Sequence, residues 1–169
     1  LKAHYRSPIN YSDAQLEEAR SGLTRLYTAL AQAPEARVEV LDAENPWVKR
    51  FTAAMNDDFN TPEAIAVLFD LASEVNRAQD NEKSRLANTL KGLGAALNFL
   101  QREPTQFLQS GTKTGDGLSP TQIEEQIAAR VSAKQSKDFA KADLIRKTLL
   151  EQGVVLEDKP GGTTEWRRA

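Results

Sequence analysis

Apolar residues recur at three- and four-residue steps along most of the chain. Leu16, Ala19, Leu23, Leu26, Tyr27 and Leu30 form the stripe of a helix with one buried side. Ser12 caps its start with Gln15 as capping-box partner, and Pro34 ends it. Before it, His4 to Tyr11 reads as an extended lead-in, because Pro8 biases Ser7 away from helix. Residues 33–44 carry no period and read as a connection. Asn45-Pro46 pairs a cap with proline at the first helical position, and Trp47, Phe51, Ala54 and Met55 then line one face of a short helix. Residues 56–60 break it, and Thr61-Pro62-Glu63 opens another, with Ala64, Ile65, Leu68, Leu71, Ala72 and Val75 inward. From about Glu82 to Leu100 a further helix turns Leu86, Leu90, Leu93, Leu97 and Leu100 to the core. Gly92 and Gly94 either weaken it by about 1 kcal/mol each or allow close helix contact. Four helices with short connections predict an antiparallel bundle over residues 1–102.

The pattern then changes. Residues 103–118 are polar and glycine-rich and read as a flexible linker, with only Phe107-Leu108 able to pin it to the bundle. Ser119-Pro120 starts a helix with Ile123, Ile127 and Val131 as its inner row, ending near Gln135 or Ser136. Asp138 caps the next, and Gly153 stops it. Residues 154–157 and 163–167 are short β-type runs around Lys159-Pro160-Gly161-Gly162, the pattern of a hairpin. A lone hairpin is marginal in water, so it must lie on the two preceding helices. The fold class is mainly α: the bundle, then a small ααββ appendage with a C-terminal β-hairpin over residues 119–169.

Composition narrows the function classes. The chain has 169 residues, 27% of them charged, no cysteine and a single histidine. Disulfides and thiolate zinc sites are therefore excluded. Mean hydropathy is −0.54, and no run approaches the roughly 20 apolar residues of a membrane span. No signal peptide is visible, and a cytoplasmic home is expected. The chain opens at Leu1 and its one methionine is Met55, which reads as a piece of something larger. Net charge is −2, but it is unevenly spread: residues 130–169 hold nine Lys/Arg against six Asp/Glu, a balance of +3, leaving −5 for the rest. Such asymmetry points to local nucleic-acid contact on an acidic body.

Candidate chemistry concentrates in that basic end. On a helix, Phe139, Asp143 and Arg146 stand at i, i+4 and i+7, which is one face. A ring, a two-oxygen acceptor and a planar donor fork together can stack an unpaired base and bond its edge. The alternative is a core phenylalanine beside an i, i+3 surface ion pair. Lys134, Lys137, Lys141 and Lys147 add charge suited to phosphates. Trp166 with Arg167 and Arg168 reads either as an aromatic–cation contact or as a tryptophan packed on the helices. Elsewhere no active site emerges. Asp57 and Asp58 do not face each other at i, i+1 and serve a turn and the next helix start, and His4 lacks a nucleophile partner.

Four stretches carry a resemblance: His4-Tyr5-Arg6-Ser7-Pro8 with Asn10-Tyr11-Ser12; residues 57–64, Asp-Asp-Phe-Asn-Thr-Pro-Glu-Ala; residues 137–143 with Arg146; and residues 154–158 with Gly162-Thr163-Thr164 near Trp166-Arg167-Arg168. In this order they resemble the C-terminal part of the bacterial cysteinyl-tRNA synthetases, beginning inside a DALR-type anticodon-binding domain whose first helix is truncated. The resemblance implies an ATP-dependent class I ligase joining cysteine to tRNA(Cys), with its ATP- and zinc-binding catalytic domain in cis but absent here. It implies no catalysis and no cofactor in this stretch, a monomer, a bundle against the inner corner of the tRNA, and an appendage reading the GCA anticodon. Phe139 falls where the family stacks an aromatic on an anticodon base, and Asp143 where an acid meets guanine. Arg146 and Asp158 fall at further contacts, and Lys134 stands where relatives often carry arginine. Glu165 is an extra residue before the tryptophan, which flips Trp166, the neighbour of Arg167 and Arg168, to the other face or forces a bulge. Two rival readings are a helical protein-interaction module and a free-standing RNA-binding paralogue.

Overall fold

The structure, a computed structural model, describes residues 3–8, 12–110, 118–160 and 162–168. The elements run α1 (Asp13–Ala31), α2 (Pro46–Asn56), α3 (Thr61–Arg77), α4 (Asp80–Ala96), α5 (Pro104–Gln109), α6 (Pro120–Gln135), α7 (Phe139–Glu151), β1 (Val154–Asp158) and β2 (Thr164–Arg168). Side-chain oxygens start most of the helices. Ser12, Asn45, Asn60, Ser119 and Asp138 each accept a backbone N–H from the first turn of α1, α2, α3, α6 and α7. The full reciprocal capping box forms at Ser119 and Gln122. Among the described residues no helix is long and apolar enough to cross a membrane.

The chain divides into two units, Leu1–Pro104 and Thr105–Ala169. The first is the antiparallel bundle α1–α4, in which α3 touches each of the other three helices. That central place explains its wide buried face of Ala64, Val67, Leu68, Leu71, Ala72 and Val75. Leu26, Tyr27 and Leu30 of α1, Phe51 of α2, and Leu90 and Leu93 of α4 complete the core. Leu16 does not join it. It remains 50% exposed, because the first turns of α1 extend past the surface that the other helices offer.

Three elements depart from the sequence expectation. The lead-in is no extended run: Ser7 N–H donates to His4 C=O at 2.8 Å and closes a turn. Helix α4 stops at Ala96 rather than Leu100, because Asn98 takes φ +58° and the Phe99 and Asn98 N–H groups return to Gly94 and Ala95 carbonyls. The stretch read as linker contains α5, begun by the buried Pro104, while residues 111–117 lie outside the described residues.

The two glycines of α4 make room for Leu41 and Leu100, not for another helix. A Cβ on Gly92 would stand 2.8 Å from Leu41 Cδ2, whereas one on Gly94 would meet Leu100 Cδ1 at 2.7 Å and Cγ at 3.0 Å. Overpacking typically costs about 1–3 kcal/mol, and a glycine-to-alanine change in a helix returns about 1 kcal/mol. Leu41 can swing its far end aside, but Leu100 is held closer to its backbone. Gly92→Ala is thus expected to be near neutral, and Gly94→Ala to lose about 1–2 kcal/mol in urea unfolding. Equal effects at both positions would refute this packing account.

In the second unit, α6 packs on α7, and α7 on β1. The strands pair antiparallel in unbroken register from Val154↔Arg168 to Asp158↔Thr164. Alternation sends Val154, Leu156 and Trp166 inward, where they meet Ile123, Ile145 and Leu149. Leu118 and Ile127 pack on the edge of this cluster. The inner row of α6 is not the expected one. Val131 is only half-buried, and Arg130 is buried in its stead.

Candidate nucleic-acid interface

Helix α7 begins where α6 is turned back by a left-handed lysine. Lys137 takes φ +61°, its N–H donates to Lys134 C=O at 3.1 Å, and the Asp138 N–H donates to Ala133 C=O at 2.9 Å. This is the double-bonded helix stop that glycine usually makes, here carried by lysine. Asp138 Oδ1 then accepts the Lys141 N–H at 3.1 Å, so Phe139 becomes the first residue of α7. Ala142, Ile145 and Leu149 face the core of the unit.

The stripe beside that core face is open. Phe139 is 63% exposed, and Asp143 and Arg146 are exposed with it. Asp143 and Arg146 form no ion pair with each other among the described residues, so the i, i+3 pair weighed from the sequence is not made. Continuing the same stripe by one turn reaches Leu150, also exposed, which the sequence reading missed. Its signal was available: Leu150 lies four residues beyond Arg146, off the Ala142–Ile145–Leu149 row. Lys141 lies two residues from Phe139, about 200° around the helix, and so points away from this stripe.

The remaining candidates do other work. Trp166 is a correction. It is 7% exposed, opposite Leu156 in the core cluster, and its ring cannot stack on a base. With the register unbroken, Glu165 forces no bulge, and alternation puts Trp166 on the inner face. Arg168 folds over the tryptophan ring at 5.9 Å and donates to Leu118 C=O at 2.7 Å and Gln109 C=O at 3.3 Å. It therefore ties β2 to the end of α5 and the approach to α6. Arg167, on the outer face, meets Glu157 at 3.4 Å. Glu157 and Glu165 stand opposite each other, and Lys159 bridges the pair at 3.6 and 3.2 Å.

Asp158 anchors the hairpin to α6. Arg130 grips it bidentately at 2.8 and 2.9 Å, Lys134 Nζ adds a contact at 2.9 Å and the Thr164 hydroxyl another at 2.8 Å. The Arg130 contact foremost, then Lys134 and Thr164, hold its carboxyl well below the usual carboxylate range. Asp158 in turn raises the Arg130 guanidinium above its ordinary value, against burial, with Asp143 adding to the effect. Asp143 therefore lies within electrostatic reach of the same guanidinium.

In the first unit the lead-in docks on the turn between α2 and α3. Asp58 accepts Tyr5 O–H at 2.8 Å and pairs with Arg6 at 3.0 Å, and His4 Nε2 lies 3.1 Å from Asp58 C=O. The tyrosine hydroxyl is raised above its ordinary value, chiefly by that bond. Asp58 and Phe59 both take left-handed φ, +51° and +53°, so the motif around Asp58 is a strained turn locked by the lead-in. The zinc that the resemblance implies for the ligase has no donor set among these residues. The chain has no cysteine, and among the described residues no three of His, Asp and Glu converge.

Residues 50–101 match the DALR domain. Along its whole length the chain is 78% identical to a cysteine–tRNA ligase of Polynucleobacter asymbioticus and 77% identical to one of Polynucleobacter necessarius subsp. necessarius. It is 58% identical to a cysteine–tRNA ligase of Cupriavidus taiwanensis. In each case the chain spans 36% of the length of the relative.

Proposed function

We propose that this chain is the anticodon-binding region of a cysteine–tRNA ligase, holding tRNA(Cys) while chemistry proceeds elsewhere in the enzyme. The observation that carries this reading is the open stripe Phe139–Asp143–Arg146, which offers an exposed ring, acceptor and donor fork on one face of α7. The ring supplies a stacking face that any base can use. The carboxylate accepts the two donors on the Watson–Crick edge of guanine, and the guanidinium takes a base edge or a phosphate. Lys134, held against Asp158, adds a point charge in the same unit. The reading includes a cytoplasmic, monomeric ligase, with ATP and zinc handled by residues outside this chain.

Asp143→Ala is expected to weaken binding of tRNA with a GCA anticodon by about 1–3 kcal/mol, by analogy with base-edge contacts in DNA. The loss should shrink when the guanine is replaced, and titration of both proteins with both RNAs measures it. Identical losses on cognate and altered anticodons would remove Asp143 as a base reader. Salt dependence separates this function from a helical protein-interaction module, since phosphate contacts make affinity fall steeply with salt.

A further inference from the structure

Arg130 is a cation in a row of α6 that is otherwise apolar. It continues the inner row of α6 from Ile123 and Ile127, is 3% exposed, and its buried Nε–H has no partner among the described residues. Replacing a buried ion pair by apolar side chains is often neutral or stabilising, so packing alone does not account for an arginine here. Its partner Asp158 is saturated. Oδ1 accepts Arg130 Nη1 and Thr164 Oγ1, and Oδ2 accepts Arg130 Nη2 and Lys134 Nζ. A carboxylate offers about four acceptor positions, and all are taken, so an incoming base would have to displace a donor. Lys134 is the member with capacity left: its ammonium has three N–H donors, and its side chain is 41% exposed.

We infer that Arg130 is a positioning residue for RNA recognition, clamping Asp158 so that Asp158 fixes the Lys134 ammonium as a preset contact for the RNA backbone or a base edge. On this account Asp158 touches no RNA. A free lysine would give up rotamer entropy on binding, and one already tethered gives up less. The inference rests on the anticodon-binding reading, and replaces the direct contact expected of Asp158 with an indirect one.

The test is a double-mutant cycle on the 169-residue chain, titrated with tRNA carrying a GCA anticodon. Lys134→Ala should weaken binding on the order of five- to tenfold and reduce the salt slope by about one. Arg130→Met should weaken binding by a similar factor, and the double variant should bind no worse than Lys134→Ala alone. The melting temperature of Arg130→Met should fall, because one member of the pair is removed, so binding is compared well below both transitions. Multiplied losses in the double variant, or wild-type affinity in either single one, would overturn the proposal. Should Arg130→Met fail to fold, Thr164→Val removes one donor to the same carboxylate and enters the same cycle under the same criteria. Absence of tRNA binding by the wild-type chain would instead sink the anticodon reading itself, before any variant is compared.

Discussion

Trp166→Ala is expected to unfold the second unit at ordinary temperature while the helical bundle persists. The indole lies in a cluster with Ile123, Ile145, Leu149, Val154 and Leu156, and is the largest side chain there. Truncating a buried tryptophan costs about 3–5 kcal/mol in transfer and cavity terms. The unit Thr105–Ala169 is small, and at roughly 0.05–0.15 kcal/mol per residue its total stability is about 3–10 kcal/mol. The truncation also removes the ring under Arg168, loosening the tie from β2 to Leu118 and Gln109. Trp166→Phe keeps most of the apolar volume and should lose only about 1–2 kcal/mol. The chain has two tryptophans, so Trp47 in α2 remains as a fluorescence reporter of the bundle in both variants. Loss of helical circular dichroism with an unchanged Trp47 transition is the expected pattern. A wild-type unfolding curve for Trp166→Ala would return the ring to the surface and reopen it as a stacking platform.

Helix starts were legible because their chemistry is carried by side chains. Ser12, Asn45, Ser119 and Asp138 were expected as caps from the sequence and act as caps, whereas α3 is capped by Asn60, which the sequence reading left in the preceding break. Helix stops were less legible, because their chemistry is in the backbone. Gly153 announces its positive φ, whereas Asn98 and Lys137 adopt the same conformation without a glycine to mark it. Helix α4 also lacks a side-chain cap, which is why its start was placed late. Helix α5 was hidden in a polar stretch where Pro104 alone hints at a beginning.

The candidate site divides along the same line. Phe139, Asp143 and Arg146 share one helix, so their common face follows from the 3.6-residue period and needs no partner element. For hairpin residues the period of two gives alternation but not its sign. Whether Trp166 or Arg167 faced inward depended on what lay beneath, and the apolar surface of α6 and α7 selected Trp166. Arg130 was harder still. In sequence it is one basic residue among several, and the acid that draws it inward lies 28 positions away. Burial of a cation is decided by such a distant partner, and one sequence does not announce it.

That distant pair yields the second large effect. Asp158→Asn keeps the shape of the side chain but leaves the guanidinium of Arg130 buried beside a neutral amide. Removing one member of a buried pair costs about 3–5 kcal/mol. Asp158 is half-exposed, so water screens part of the deficit and about 2–4 kcal/mol is expected. The pH dependence has a definite sign. The folded state holds the Asp158 carboxyl below its ordinary value, chiefly through Arg130, so it binds its proton less readily than the unfolded chain does. The stabilisation is therefore complete above the ordinary aspartate pKa of about 4 and is lost progressively as pH falls below it. Urea unfolding from pH 7 down to pH 2 should show wild type losing stability in that acid range, and Asp158→Asn starting lower and falling less. If both proteins fell in parallel, the acid sensitivity would lie with other carboxylates, and the Arg130–Asp158 clamp would contribute little to holding the hairpin on α6.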